Sequence, residues 1–192
     1  MRTLIFVLTL CLIANIACAQ EIKCVWDLAA LDYKHYKNIF ANKTVAPMLS
    51  DFRGNKFNGF ILYVTNKKIG EIVYKLYTGK PCDSTLKLQS LTFQKRFYLY
   101  DNEKGESGIN FWPVKGVLSM PMKIYISPCI TNSRIDSLKI DYDVKSNNPI
   151  TERILIDEVR QITNTNLYLG KMYSRIFGKP VFFLWFVLEK KQ

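Results

Sequence analysis

From residue 85 onward, turn residues cut the chain into short segments rich in β-branched and aromatic side chains, a rhythm that limits its possible folds more than any other feature. Thr85–Phe93 and Arg96–Tyr100 come first and end at the turn-forming Asn102-Glu103-Lys104-Gly105. Asn110–Val117, Met122–Ser127 and Asp136–Val144 follow, then the loop Ser146-Asn147-Asn148-Pro149. Arg153–Ile162 and Leu167–Ile176 flank Asn164-Thr165-Asn166, and Phe177-Gly178-Lys179-Pro180 turns the chain into Val181–Leu188. Strands of this length with hairpin-length connections predict an antiparallel barrel or sandwich. A barrel removes the exposed edges that so aromatic a sheet would otherwise present.

The chain before this region reads differently. Val25, Leu28, Ala29, Leu31, Tyr36, Ile39 and Phe40 recur near helical spacing, with Asp27 in the first turn, so an N-terminal helix is expected. Arg53-Gly54-Asn55 and Asn58-Gly59 supply turn chemistry before the strand Phe60–Thr65. Ile69, Ile72, Val73 and Leu76 suggest a short helix closed by Gly79 and Pro81. The expected fold class is therefore mainly β (α+β).

The first residues point to a compartment. Arg2 precedes the apolar run Leu4–Ile13, and Ala17-Cys18-Ala19 offers the small-x-small pattern cut by signal peptidase, with cleavage expected before Gln20. The run is short of the roughly 20 apolar residues that span a bilayer. Residues 1–19 are thus read as a signal peptide and 20–192 as one domain, secreted and extracellular, or periplasmic or lipid-anchored through Cys18 in a bacterium. The formal net charge is +11, and loss of Arg2 leaves +10. That balance favours anionic membrane or polysaccharide as partners, although most lysines are spread singly, as on a solvated surface. Cys24, Cys82 and Cys129 remain after cleavage. In an oxidising compartment three thiols suggest one disulfide and one leftover, with Cys82–Cys129 favoured because Pro81 and Pro128 mark a chain break beside each. Asn42-Lys43-Thr44 is the one glycosylation sequon, placing a candidate glycan on Asn42.

Catalytic signatures are missing. His35 is the sole histidine and excludes the two- and three-histidine zinc sites of hydrolytic enzymes. There is no Gly-x-Ser-x-Gly elbow, phosphate loop or Gly-x-Gly-x-x-Gly, so neither metal nor cofactor is expected. A pair of carboxylates remains open to an enzyme, with Asp157 and Glu158 as the acids to neutralise in testing one. One segment combines charge with apolar residues. The strand period places Ile154, Ile156, Glu158, Arg160 and Ile162 on one face. If that face points inward, Glu158 and Arg160 must satisfy each other or a ligand, and Arg160 is suited to an anionic head group. If it points outward, Leu155 and Val159 are core instead. Phe97, Tyr98, Tyr100, Phe111, Trp112, Tyr168, Tyr173, Phe182, Phe183, Trp185 and Phe186 can form either plain core or the lining of a pocket. Their interleaving with lysine and arginine also suits base stacking, but a secreted chain seldom meets single-stranded nucleic acid, and none is expected as a partner.

The leader, the early helix, the antiparallel strands and the late charged strand together resemble the lipocalin-like (calycin) group. Ile140-Asp141-Tyr142 is similar to its Thr-Asp-Tyr element, and Arg175 stands near its late arginine. The opening Gly-x-Trp is missing: Trp26 follows Cys24 and Val25, and Arg53-Gly54 has no tryptophan nearby. The resemblance covers roughly residues 50–190 and implies a lipocalin-like β-barrel that binds a small hydrophobic or amphiphilic molecule without transforming it. Arg160, Glu158, Tyr142 and Trp185 are the ligand-site candidates. The competing reading is a basic protein that binds anionic membrane or polysaccharide through its surface.

Overall fold

The computed structural model describes residues 21–65, 92–112, 118–144 and 148–191. Residues 1–19, expected as a leader, the expected helix around Ile69–Leu76, residues 85–91 of the strand expected at Thr85–Phe93, and Cys82 all lie outside these residues.

Two short helices come first, α1 (Val25–Ala29) and α2 (Tyr33–Asn42). The periodicity suggests one helix, but Asp32 breaks it. Its carboxylate accepts from the backbone N–H groups of Lys34 and His35 at 2.9 and 3.2 Å and starts a new helix. The Tyr36 hydroxyl donates to the carbonyls of Leu28 and Leu31, tying the two helices together. His35 holds the capping Asp32 through Nδ1 at 2.8 Å, a local structural role at the surface. Asn42 ends α2 with an exposed side chain, and Thr44 of its sequon is buried.

Then come β1 (Thr44–Val45), α3 (Leu49–Phe52) and eight longer strands: β2 (Lys56–Val64), β3 (Thr92–Phe97), β4 (Gly108–Trp112), β5 (Leu118–Pro128), β6 (Asp136–Asp141), β7 (Leu155–Ile162), β8 (Leu167–Ile176) and β9 (Lys179–Lys190). Helix α4 (Ile150–Arg153) precedes β7 and takes the start of the strand expected from Arg153. From β2 to β9 each strand pairs antiparallel with the next, and β9 returns to β2, closing a ring of eight strands. β1 adds to the end of β7 beyond β6, through Thr44↔Ile162 and Val45↔Gln161.

Alternation along the strands sends one set of side chains into the ring. Phe57 and Ile61 of β2, Phe93 and Phe97 of β3, Met120 and Met122 of β5, Leu138 and Ile140 of β6, Val159 of β7 and Leu184, Phe186 and Leu188 of β9 form a single buried cluster. Phe52 of α3 plugs one end, stacked on Phe57 at 4.7 Å and edge-on to Phe97 and Tyr168 at 5.0 Å. A second cluster lies outside, where Ile22, Val25, Leu28, Tyr36, Ile39 and Phe40 cover Leu167, Leu169, Trp185 and Val187.

β2 begins at Lys56, earlier than Asn58-Gly59 suggests, because Gly59 is there to admit a ring and not to turn the chain. A Cβ on Gly59 would stand 2.2 Å from the Phe93 side chain. Gly170 in β8 has the same relation to Phe186, again at 2.2 Å. Gly170→Ala should therefore cost about 1–3 kcal/mol through forced repacking, read as a lower urea midpoint; an unchanged midpoint would show that the Phe186 ring moves freely.

Candidate functional site

The outer face of β7, β8 and β9 carries the charged residues together with much of the aromatic surface. β7 presents Glu158 and Arg160 away from the ring interior, while Val159 packs inside it and Asp157 points the same way. The face shared with Ile156 and Ile162 is thus the outer one, a correction to an inward-facing pocket built on this pair. Both residues are nevertheless buried, because α2, β1 and the segment after β5 lie over them.

They do not pair with one another. Arg160 donates through Nε to Thr44 Oγ1 and through Nη2 to the Thr44 carbonyl, both at 2.7 Å, and through Nη1 to the Asp136 carbonyl. Its guanidinium is a clamp joining β1 and the start of β6 to β7, already committed to protein acceptors. Glu158 Oε1 accepts from the Ile130 N–H and from Lys139 Nζ. Its Oε2 has no geometric hydrogen-bond partner among the described residues and lies 4.0 Å from Lys171 Nζ.

Lys171 connects this buried charge to a groove of about 340 Å³. Tyr33, Lys37 and Phe40 of α2 form one wall, Thr131, Asn132 and Ile135 another, and Lys171, Tyr173, Phe182 and Trp185 the floor. The aromatic rings brace one another: Phe40 and Phe182 meet Trp185 edge-on at 5.6 and 5.7 Å, and Tyr33 lies 6.2 Å from Phe182. Lys171 Nζ stands 3.8 Å from the centre of the Phe40 ring and donates to Thr131 Oγ1 at 3.2 Å. Burial holds the Lys171 ammonium below the usual lysine range, with the Glu158 charge opposing that shift. Burial likewise pushes the Tyr173 phenol above its usual range. Trp185, 1% exposed, has an indole N–H with no partner among the described residues. A second hollow of about 920 Å³ lies between residues 21–23, Lys43 and the β7–β8 turn. It is lined mainly by short polar and charged side chains, without an aromatic wall.

The ring interior holds one polar constellation. Lys95 Nζ donates to Asp157 Oδ2 at 3.1 Å and to the Tyr142 hydroxyl, which donates to the same carboxylate oxygen at 3.0 Å. Burial lowers the pKa of Lys95 and raises that of Asp157, each against the pull of its partner's charge. Tyr142 is thus inside the ring, whereas Trp185, Glu158 and Arg160 are outside it. The structure brings Trp185 and Glu158 to the groove or directly behind it, and gives Arg160 to the clamp and Tyr142 to the interior. Sequence reasoning passed over Lys171 and Lys95. Each sits between apolar neighbours two residues away (Leu169 and Tyr173; Phe93 and Phe97), a pattern that marks a lysine on a buried face.

Cys24 and Cys129 both carry free thiols, and Cys129 is buried. The Cys82–Cys129 disulfide is therefore not formed at Cys129, and Cys82 lies outside the described residues. Comparison with known proteins finds no matching family model, no matching curated protein and no matching solved structure.

Proposed function

We propose that this chain is a secreted, lipocalin-like barrel protein that binds a small amphiphilic molecule without transforming it, and that the ligand occupies the groove between α2 and the outer face of β8 and β9. The observation that carries this reading is the joining of a braced aromatic floor to Lys171 in one concave site. Ligand pockets combine an apolar lining with a few polar groups that fix orientation. An aromatic or aliphatic body would lie on Phe40, Phe182 and Trp185, and its anionic head would meet Lys171 and Lys37. The lipocalin-like assignment draws support from the eight-strand ring and the early helices. It draws further support from the bidentate pairing of Arg175 with Asp141, at 2.8 and 3.1 Å, which joins the two positions that carry the resemblance.

The test is fluorescence titration of the leader-free protein with two probes of similar shape, the anionic 1-anilinonaphthalene-8-sulfonate and the neutral N-phenyl-1-naphthylamine. Both should bind. Lys171→Met should weaken the anionic probe about tenfold or more, the loss of one charge-assisted hydrogen bond, and leave the neutral probe nearly unchanged. Equal losses for the two probes, or no binding of either to the folded protein, would sink the assignment.

A further inference from the structure

The β8–β9 hairpin ends in a two-residue loop, Phe177-Gly178, between the paired Ile176 and Lys179. Both loop residues have positive φ, 50° for Phe177 and 76° for Gly178. Such loops call for Asn, Asp or Gly at the first position. The longer β7–β8 connection, residues 163–166, also contains a positive φ, 61° at Asn164, and there a polar residue carries it. At the β8–β9 tip the position is filled by a phenylalanine that is 100% exposed. Its backbone conformation is unfavourable for a bulky side chain, and its ring gains nothing from burial. Folding alone gives no reason for it.

The surroundings extend the apolar point. Ile176 and Val181 flank the tip and are about half exposed. Exposed Ile150 belongs to α4, which meets the hairpin where the Arg175 N–H donates to the Ile154 carbonyl at 2.7 Å and Arg175 Nη1 approaches the Arg153 carbonyl. Lys179 stands exposed beside the loop with no ion-pair partner among the described residues, on a chain whose net charge is +11.

We propose that this hairpin tip docks the protein on an anionic phospholipid surface, with Phe177 inserted at the headgroup boundary, Ile176 and Val181 following it, and Lys179 against the lipid phosphates. A single aromatic on a two-residue loop cannot supply the roughly 1,000 Å² that a specific protein interface buries. Peripheral membrane attachment needs only a few apolar side chains with cations beside them. The proposal is independent of the groove.

The experiment is co-sedimentation of the leader-free protein with vesicles of phosphatidylcholine alone and of phosphatidylcholine mixed with phosphatidylglycerol. Wild type should bind the mixed vesicles and bind the neutral ones less. Phe177→Asn places a residue suited to positive φ, so its melting temperature should equal or exceed wild type while partition to mixed vesicles falls roughly tenfold or more, as expected for losing one buried aromatic. Phe177→Trp should retain binding, with a blue-shifted emission on vesicle addition. Equal binding by Phe177→Asn, equal binding of wild type to both vesicle types, or no vesicle binding at all would each overturn the proposal. So would the loss, in Phe177→Asn, of a concentration-dependent dimer in place of vesicle binding.

Discussion

Replacing Asp157 with leucine should cost about 3–5 kcal/mol of stability, because it strands a lysine ammonium inside the ring. Lys95 is 1% exposed and Asp157 is 0% exposed, and among the described residues their charged ends engage only each other and Tyr142, apart from ring faces around the ammonium. Coulomb attraction between such groups is offset by the loss of hydration. The pair adds little net stability compared with apolar residues of the same volume, yet removing one member is severe. The triple variant Lys95→Met, Asp157→Leu, Tyr142→Phe should accordingly recover most of the loss. Urea unfolding with a constant m-value is the measurement. A single Asp157→Leu variant within about 1 kcal/mol of wild type would mean that water reaches the pair.

That a charged triad occupies the ring interior bears on how far the fold can be read from the chain. Strands bounded by strong turn residues are legible: β8 spans the expected Leu167–Ile176, and β9 differs from Val181–Leu188 only by additions at its ends. Periodicity also places Ile156, Glu158, Arg160 and Ile162 on a common face. What periodicity cannot supply is the side on which the interior lies, because both faces of β7 are buried, one by the ring and the other by α2 and the segment after β5. With charged and apolar residues on each side, alternation loses its usual contrast of wet against dry. The groove is less legible still, since it joins Phe40 of α2, Thr131 after β5, and Lys171 and Trp185 of the β8–β9 hairpin, three segments far apart in the chain. The turn reading of Asn58-Gly59 failed for a different reason: Gly59 answers to the Phe93 ring across the strand pair, a partner outside the local sequence.

Glu158→Gln should destabilise the free protein by about 3–5 kcal/mol and at the same time tighten its grip on an anion. The amide can still accept from the Ile130 N–H, but Lys139, itself 3% exposed, and Lys171 lose the only carboxylate within reach of their ammonium groups among the described residues. An uncompensated pair of cations behind the aromatic floor is costly when the groove is empty and attractive to a negatively charged head group. Wild-type Glu158 therefore competes with the ligand for Lys171. Removing it should raise affinity for 1-anilinonaphthalene-8-sulfonate about tenfold, a gain comparable to one charge-assisted contact. Because a ligand that binds only the folded state stabilises it by mass action, saturating probe should raise the melting temperature of Glu158→Gln more than that of wild type. The comparison belongs at mildly acidic pH. Burial already holds the Lys171 ammonium below its usual range, and the Glu158 charge that opposes this shift is absent in the variant. Greater thermal stabilisation of the variant by the anionic probe, with no such difference for the neutral probe, would place Lys171 at the anion. The same increment for both probes would leave the groove an apolar site and Glu158 a partner of Lys139 alone.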